Sequence, residues 1–110
     1  VFLHFGGEYQ RLHNKRQEYL AHKAVDDWAK LVIGAHPHVV GDFEVYKDSY
    51  IAYSLGNFIF DQSWSVPTMK GLLLNIKLFK DGSMTERRDN FKLNNFFQPS
   101  EIIKGTEEKL

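Results

Sequence analysis

The chain has 110 residues, 43% hydrophobic and 25% charged, with fourteen Lys and Arg against fourteen Asp and Glu. That balance excludes a protein that wraps a polyanion by bulk charge, so no nucleic-acid partner is expected. The lack of cysteine excludes a disulfide scaffold and thiolate metal sites, and apolar runs of only a few residues predict no membrane-spanning segment and no signal peptide.

Val1-Phe2-Leu3-His4-Phe5 reads as a short buried parallel strand. Because it starts at the first residue, the expectation is that the chain is part of something longer. A polar loop over residues 6–16 follows, then a helix with Asn14 as N-cap and Gln17 completing a capping box. Leu20, Ala21, Ala24, Val25, Trp28 and Ala29 recur at helical spacing and predict its apolar face. Leu31-Val32-Ile33, ended by Gly34, is a second buried strand. Strand, helix and strand make a βαβ unit with both strands parallel in one sheet.

The second half changes character. Residues 42–46 and 50–55 read as a hairpin around Lys47-Asp48-Ser49. Residues 71–79 and 84–93 read as an antiparallel pair joined by Lys80-Asp81-Gly82-Ser83. The segment 99–110 carries few apolar side chains and is expected to be a loosely ordered tail, leaving 1–98 as the folded portion. The nine Phe, five Tyr and two Trp are read as core packing, since no basic groove accompanies them.

All five histidines fall before residue 39. Gly34-Ala35-His36-Pro37-His38 follows directly on a buried strand, so His36 and His38 emerge at its C-terminal end, and His4 lies near the end of the first strand. If the two strands are neighbours, three imidazoles open onto one sheet edge, where open α/β sheets bind ligands. Neutral imidazoles suit Zn²⁺, Mn²⁺ or Fe. In an extended segment His36 and His38 stand roughly 6–7 Å apart, so one ion gathers both only if the loop bends. Two ions about 3.5–4 Å apart take one ring each with less distortion, which makes a dinuclear centre the sharper reading. An H-P-H tripeptide alone also fits capping or packing. His13, in a polar loop, and His22, in the helix, lack this geometry and are read as surface or packing residues. Gly6-Gly7-Glu8 is either a plain turn with a solvated acid or a place where Glu8 orients a metal-bound histidine. Asn57 and Asp61 either hydrogen-bond into the site or simply end a strand.

Taken together, His4-Phe5-Gly6-Gly7-Glu8-Tyr9, Gln17 with Leu20-Ala21, Gly34-Ala35-His36-Pro37-His38-Val39, Glu44 with Tyr46, Tyr53-Ser54-Leu55-Gly56-Asn57-Phe58, Phe60-Asp61-Gln62 and Pro67-Thr68 with Gly71-Leu72 resemble the bacterial capsule-synthesis CapA or poly-gamma-glutamate synthesis family of the calcineurin-like metallophosphatase superfamily. The resemblance runs from residue 1 to about residue 80. It implies the C-terminal half of a four-layer α/β sandwich, a βαβ unit followed by mostly antiparallel strands, with a metal centre at the strand ends. By the resemblance, His4, His36 and His38 match metal-binding histidines, and the His36 and His38 imidazoles are candidate catalytic groups. Glu8, Glu44 and Asn57 match recurrent positions behind the metal or against substrate.

The superfamily's early motifs, an aspartate, a bridging aspartate and an Asn-His pair, do not occur here. The chain is therefore expected to hold part of a centre for two divalent ions (Mn, Fe or Zn). The implied activity is metal-dependent hydrolysis of a phosphoester, and the alternatives are an accessory factor for assembly or export of an anionic capsule polymer, or an inactive fragment. The expected partners are that polymer or phosphoester and either the missing N-terminal half or a second copy. The full-length protein is expected to be extracytoplasmic and membrane-anchored.

Overall fold

A computed structural model describes all residues, Val1–Leu110, and they divide into two compact units, Val1–Gly56 and Asn57–Leu110. The first contains β1 (Phe2–His4), α1 (Lys15–Asp26), β2 (Leu31–Ala35), β3 (Phe43–Tyr46) and β4 (Ser49–Ala52). Its sheet runs in the order β1-β2-β4-β3, with β1, β2 and β4 parallel and β3 antiparallel to β4. The expected βαβ unit is present, and its two strands are neighbours, with Phe2 opposite Ile33 and His4 opposite Ala35.

Helix α1 starts where its capping chemistry allows. The Asn14 side chain accepts from the Gln17 backbone N–H at 2.9 Å, while the Gln17 side chain accepts from the Asn14 N–H at 3.0 Å. Two backbone donors with no partner inside the helix are satisfied reciprocally. Gln17, Ala21 and Val25, four residues apart, form its buried stripe. Ala21 and Val25 pack on Val32, Ile51 and Tyr53, with Leu3, Phe5, Ala24, Ala29 and Tyr46 around them. Trp28 departs from its expected place on the apolar face: it lies past the helix end with φ +79° and is 95% exposed. The hairpin turn is shorter than expected, because Ser49 already pairs with Tyr46, leaving Lys47-Asp48 as a two-residue turn.

In the second unit β5 (Lys70–Leu78) and β6 (Met84–Leu93) form a long antiparallel pair, as expected, with Gly82 at φ +83° in the turn. A single 3-10 turn, Pro67–Met69, precedes β5. Leu72, Met84, Phe91 and Leu93 are buried. The loosely ordered tail expected over 99–110 is corrected: β7 (Pro99–Ile103) and β8 (Glu108–Lys109) both pair with β6. Polar bonds hold this segment, which is why its low hydrophobicity misled. The Asp89 carboxylate accepts from Arg87 Nε (2.9 Å) and Nη2 (2.9 Å), from Asn75 Nδ2 (3.1 Å) and from the Gly105 N–H (3.0 Å). Lys77 pairs with Glu107 at 2.7 Å. No helix is long and apolar enough to cross a membrane.

Two outcomes follow from this packing. A Cβ on Gly34 would meet the Tyr53 carbonyl and the Phe5 ring, so Gly34→Ala is expected to cost about 1–3 kcal/mol in denaturant melts. The Arg87 guanidinium, above all, holds the Asp89 carboxyl below its ordinary value. A depressed carboxyl contributes stability above its unfolded value of about 3.9 and loses it as pH falls through the lower folded value. Asp89→Asn is therefore expected to destabilise at pH 7 and much less at pH 2; an equal deficit at both would show that the charge is not what holds the segment.

Candidate metal centre

Parallel pairing of β1 with β2 brings two strand ends to one edge of the sheet. The pairing continues past the strands through the Phe5 N–H, which donates to the Ala35 carbonyl at 3.0 Å. Beyond it, the Tyr9 N–H donates to the Pro37 carbonyl at 2.7 Å, tying the loop after β1 to the His-Pro-His segment. Pro37 and Val39 are buried, and the Ser54 hydroxyl donates to the Val39 carbonyl at 2.7 Å, so the segment is anchored from behind.

The segment does bend. His36 has φ +105° and His38 φ +61°, both in the left-handed region that L side chains rarely adopt. This turns the two rings toward each other, with centroids 5.9 Å apart, instead of leaving them as extended neighbours. The carboxylate of Glu8 joins them: one donor atom each from Glu8, His36 and His38 lies within 4.8 Å of the others. Glu8 is exposed and both histidines are half-buried.

Two donors on one ion, with bonds of about 2.0–2.2 Å, stand at most about 4.4 Å apart, close to the 4.8 Å within which these three donor atoms lie. Two imidazoles and one carboxylate fit a borderline divalent ion by chemistry as well as by spacing. The sequence left Glu8 either a solvated acid in a turn or a group that orients a histidine; in the structure its carboxylate lies within 4.8 Å of a donor atom of each imidazole. His4 falls just outside the set, its ring centroid 4.9 Å from that of His36. The Tyr9 hydroxyl, beside Glu8, is held above its ordinary value by loss of water first and by the Glu8 charge second.

The other predicted residues sit in different surroundings. Glu44 Oε1 pairs with His22 Nε2 at 2.8 Å, and Oε2 accepts from the Tyr53 hydroxyl at 2.7 Å. His22 stacks on Tyr46 with centroids 3.8 Å apart, and His13 stacks on Tyr53 at 3.9 Å while bonding Asp42 at 2.7 Å. His13 and His22 therefore pack and hydrogen-bond, and Glu44 is engaged with His22 and Tyr53 outside the donor set. Burial and the Glu44 carboxylate raise the Tyr53 hydroxyl well above its ordinary value, keeping it a donor. Asn57 belongs to the second unit, where its amide donates to Gln62 Oε1 (3.0 Å) and to the Thr68 carbonyl (2.9 Å).

A βαβ-based sheet with a histidine and carboxylate cluster at its strand ends presents those groups where open α/β sheets bind ligands. The chain belongs to the family described as bacterial capsule synthesis protein PGA_cap, whose family model matches residues 1–62. It is 52% identical over 65 residues to the capsule biosynthesis protein CapA of Bacillus anthracis, covering 59% of this chain and 16% of that protein. It is 44% identical over 80 residues to the PGA biosynthesis protein CapA of Bacillus subtilis (strain 168), covering 73% of this chain and 21% of that protein. The matched stretch is thus a small fraction of either relative.

The Glu44 network generates its own outcome. Tyr53→Phe leaves one Glu44 oxygen without its donor and is expected to cost about 1–3 kcal/mol of stability, with metal content unchanged. Loss of metal in that variant would place the network within the centre.

Proposed function

We propose that this chain carries part of a divalent metal centre of a capsule-synthesis protein and that the complete protein is a metal-dependent hydrolase. The observation that carries the proposal is the convergence of Glu8, His36 and His38 donor atoms within 4.8 Å at the strand ends of a parallel sheet. In this reading those three side chains hold one ion, and His4 stands beside them to ligate a second. Three protein donors leave a tetrahedral ion one open position, the pattern of catalytic rather than structural sites. A Mn, Fe or Zn ion bound there would supply Lewis acidity to a phosphoryl or carboxyl oxygen and acidify water.

The protein's own contribution is placement. The Glu8 carboxylate brings negative charge to a pair of neutral imidazoles, offsetting part of the charge on a divalent ion. Pro37 and the buried Val39 keep the loop from relaxing, so little entropy is lost when the donors close. The substrate in this reading is a phosphoester or an anionic capsule polymer. Placement of the complete protein outside the cytoplasmic membrane, anchored elsewhere in the polypeptide, belongs to the same reading, because a capsule lies outside the cell.

The test is elemental analysis and hydrolysis of an activated phosphodiester, bis-p-nitrophenyl phosphate, by the full-length polypeptide. His36→Ala, His38→Ala and Glu8→Gln are each expected to weaken metal binding by more than the roughly 10–100-fold typical of losing an orienting partner. Turnover is expected to fall with the metal. Equal metal content in wild type and variants overturns the ligand assignment. Metal bound with no turnover overturns hydrolysis in favour of an accessory role in handling the polymer.

A further inference from the structure

Non-glycine residues with positive φ gather in two places in the first unit. Tyr9, His36 and His38 form one group, at the strand ends. Trp28 (φ +79°), Lys47 (φ +47°) and Asp48 (φ +59°) form the other, and all three line one groove of about 390 Å³. Val25, Asp26, Ala29, Lys30 and Ser49 complete its walls. Because β2 begins at Leu31 and β4 at Ser49, this groove lies where the parallel strands start, at the sheet edge opposite the metal donors.

Trp28 has no local reason to be where it is. It follows the last turn of α1, with its N–H on the Val25 carbonyl at 2.9 Å and the Ala29 N–H on the Ala24 carbonyl at 2.9 Å. This is the left-handed helix stop, for which glycine or asparagine is the natural residue. A tryptophan there carries backbone strain, and at 95% exposure its ring is repaid by no burial within the unit. Lys47 and Asp48 likewise occupy the turn positions that favour asparagine and glycine. Strained positions that converge on a cavity point to a use for it.

We propose that this groove is a second ligand site, separate from the metal centre, which takes a neutral saccharide by stacking it on the Trp28 indole. The charges argue for neutrality: Asp26 and Asp48 are balanced by Lys30 and Lys47. Asp26 and Lys47 are moreover committed to each other at 2.7 Å, so neither presents an uncompensated charge to an ion. What remains is one large aromatic face beside short, fixed polar groups, the Asp26–Lys47 pair, Asp48 and the Ser49 hydroxyl. That combination suits a ring with apolar C–H faces and hydroxyl edges. The site does not depend on the metal reading and stands or falls separately from it.

The experiment is calorimetric titration of the full-length polypeptide with three neutral hexasaccharides (cellohexaose, chitohexaose and maltohexaose) and with hexaglutamate as the charged comparison. At least one saccharide is expected to bind, with Trp28→Ala weakening it by about tenfold or more and Trp28→Phe restoring most of the affinity. Trp28→Gly is the sharper variant. It relieves the left-handed strain, so it is expected to raise Tm by about 2–4 °C while weakening binding as much as Trp28→Ala and leaving metal content unchanged. Failure of all three saccharides to bind overturns the proposal, as does tighter, Trp28-dependent binding of hexaglutamate. Hydroxyl-radical footprinting that finds Trp28 shielded in the full-length polypeptide also overturns it, because the groove is then filled by protein.

Discussion

The parallel pairing of β1 with β2 is the constraint on which the candidate centre depends. Parallel strands finish at the same edge, so residues far apart in the chain leave the sheet together: His4 opposite Ala35, then Phe5 bonded to Ala35 and Tyr9 bonded to Pro37. Each of these bonds removes freedom from the two loops that carry Glu8, His36 and His38. Gly34 shows how tight the arrangement is, since the Tyr53 carbonyl and the Phe5 ring occupy the space a side chain there would need. The left-handed histidines are sustained by this framework, not by their own preference.

Histidines in this unit are sorted by what surrounds them. His13 and His22 each have a carboxylate partner, Asp42 and Glu44, and an aromatic ring to stack on, Tyr53 and Tyr46. One face of each ring is stacked and one nitrogen of each is bonded to a carboxylate, which suits a packed polar layer. His36 and His38 converge on Glu8 at a half-buried loop. The same side chain thus seals one region and opens another, and its hydrogen-bond and stacking partners make the difference.

Membership of the capsule synthesis family and the proposed metal centre rest on different grounds. The first comes from similarity over residues 1–62; the second from donor spacing. Their coincidence on the same unit is what ties the proposed chemistry to capsule synthesis. The second unit contributes a differently built structure, in which buried carboxylates are held by arginines on the same strand: Asp89 by Arg87 and Glu86 by Arg88. Buried charge of this kind is tolerated only with full hydrogen bonding, which Asp89 obtains from four donor atoms.

Much of the fold was legible in the amino-acid order because local chemistry and periodicity specify it. Asn14 and Gln17 announced the start of α1, the apolar runs announced β1 and β2, and Asp81-Gly82 announced the β5–β6 turn. The histidines that approach one another were also legible, since a strand end is a place that sequence can name. The order of residues could not show Glu8 moving in among the donors, because that requires left-handed backbone at His36 and His38 imposed by contacts from elsewhere. Nor could it show Trp28 leaving the helix face or β7 and β8 joining β6. Those outcomes turn on a helix stop set by carbonyls and on polar bonds from Asp89 to Gly105 and Lys77 to Glu107. The sequence by itself determined the elements and the chemical types at their ends; the tertiary structure alone decided which ends meet, because backbone strain and long-range polar bonds have no local signature.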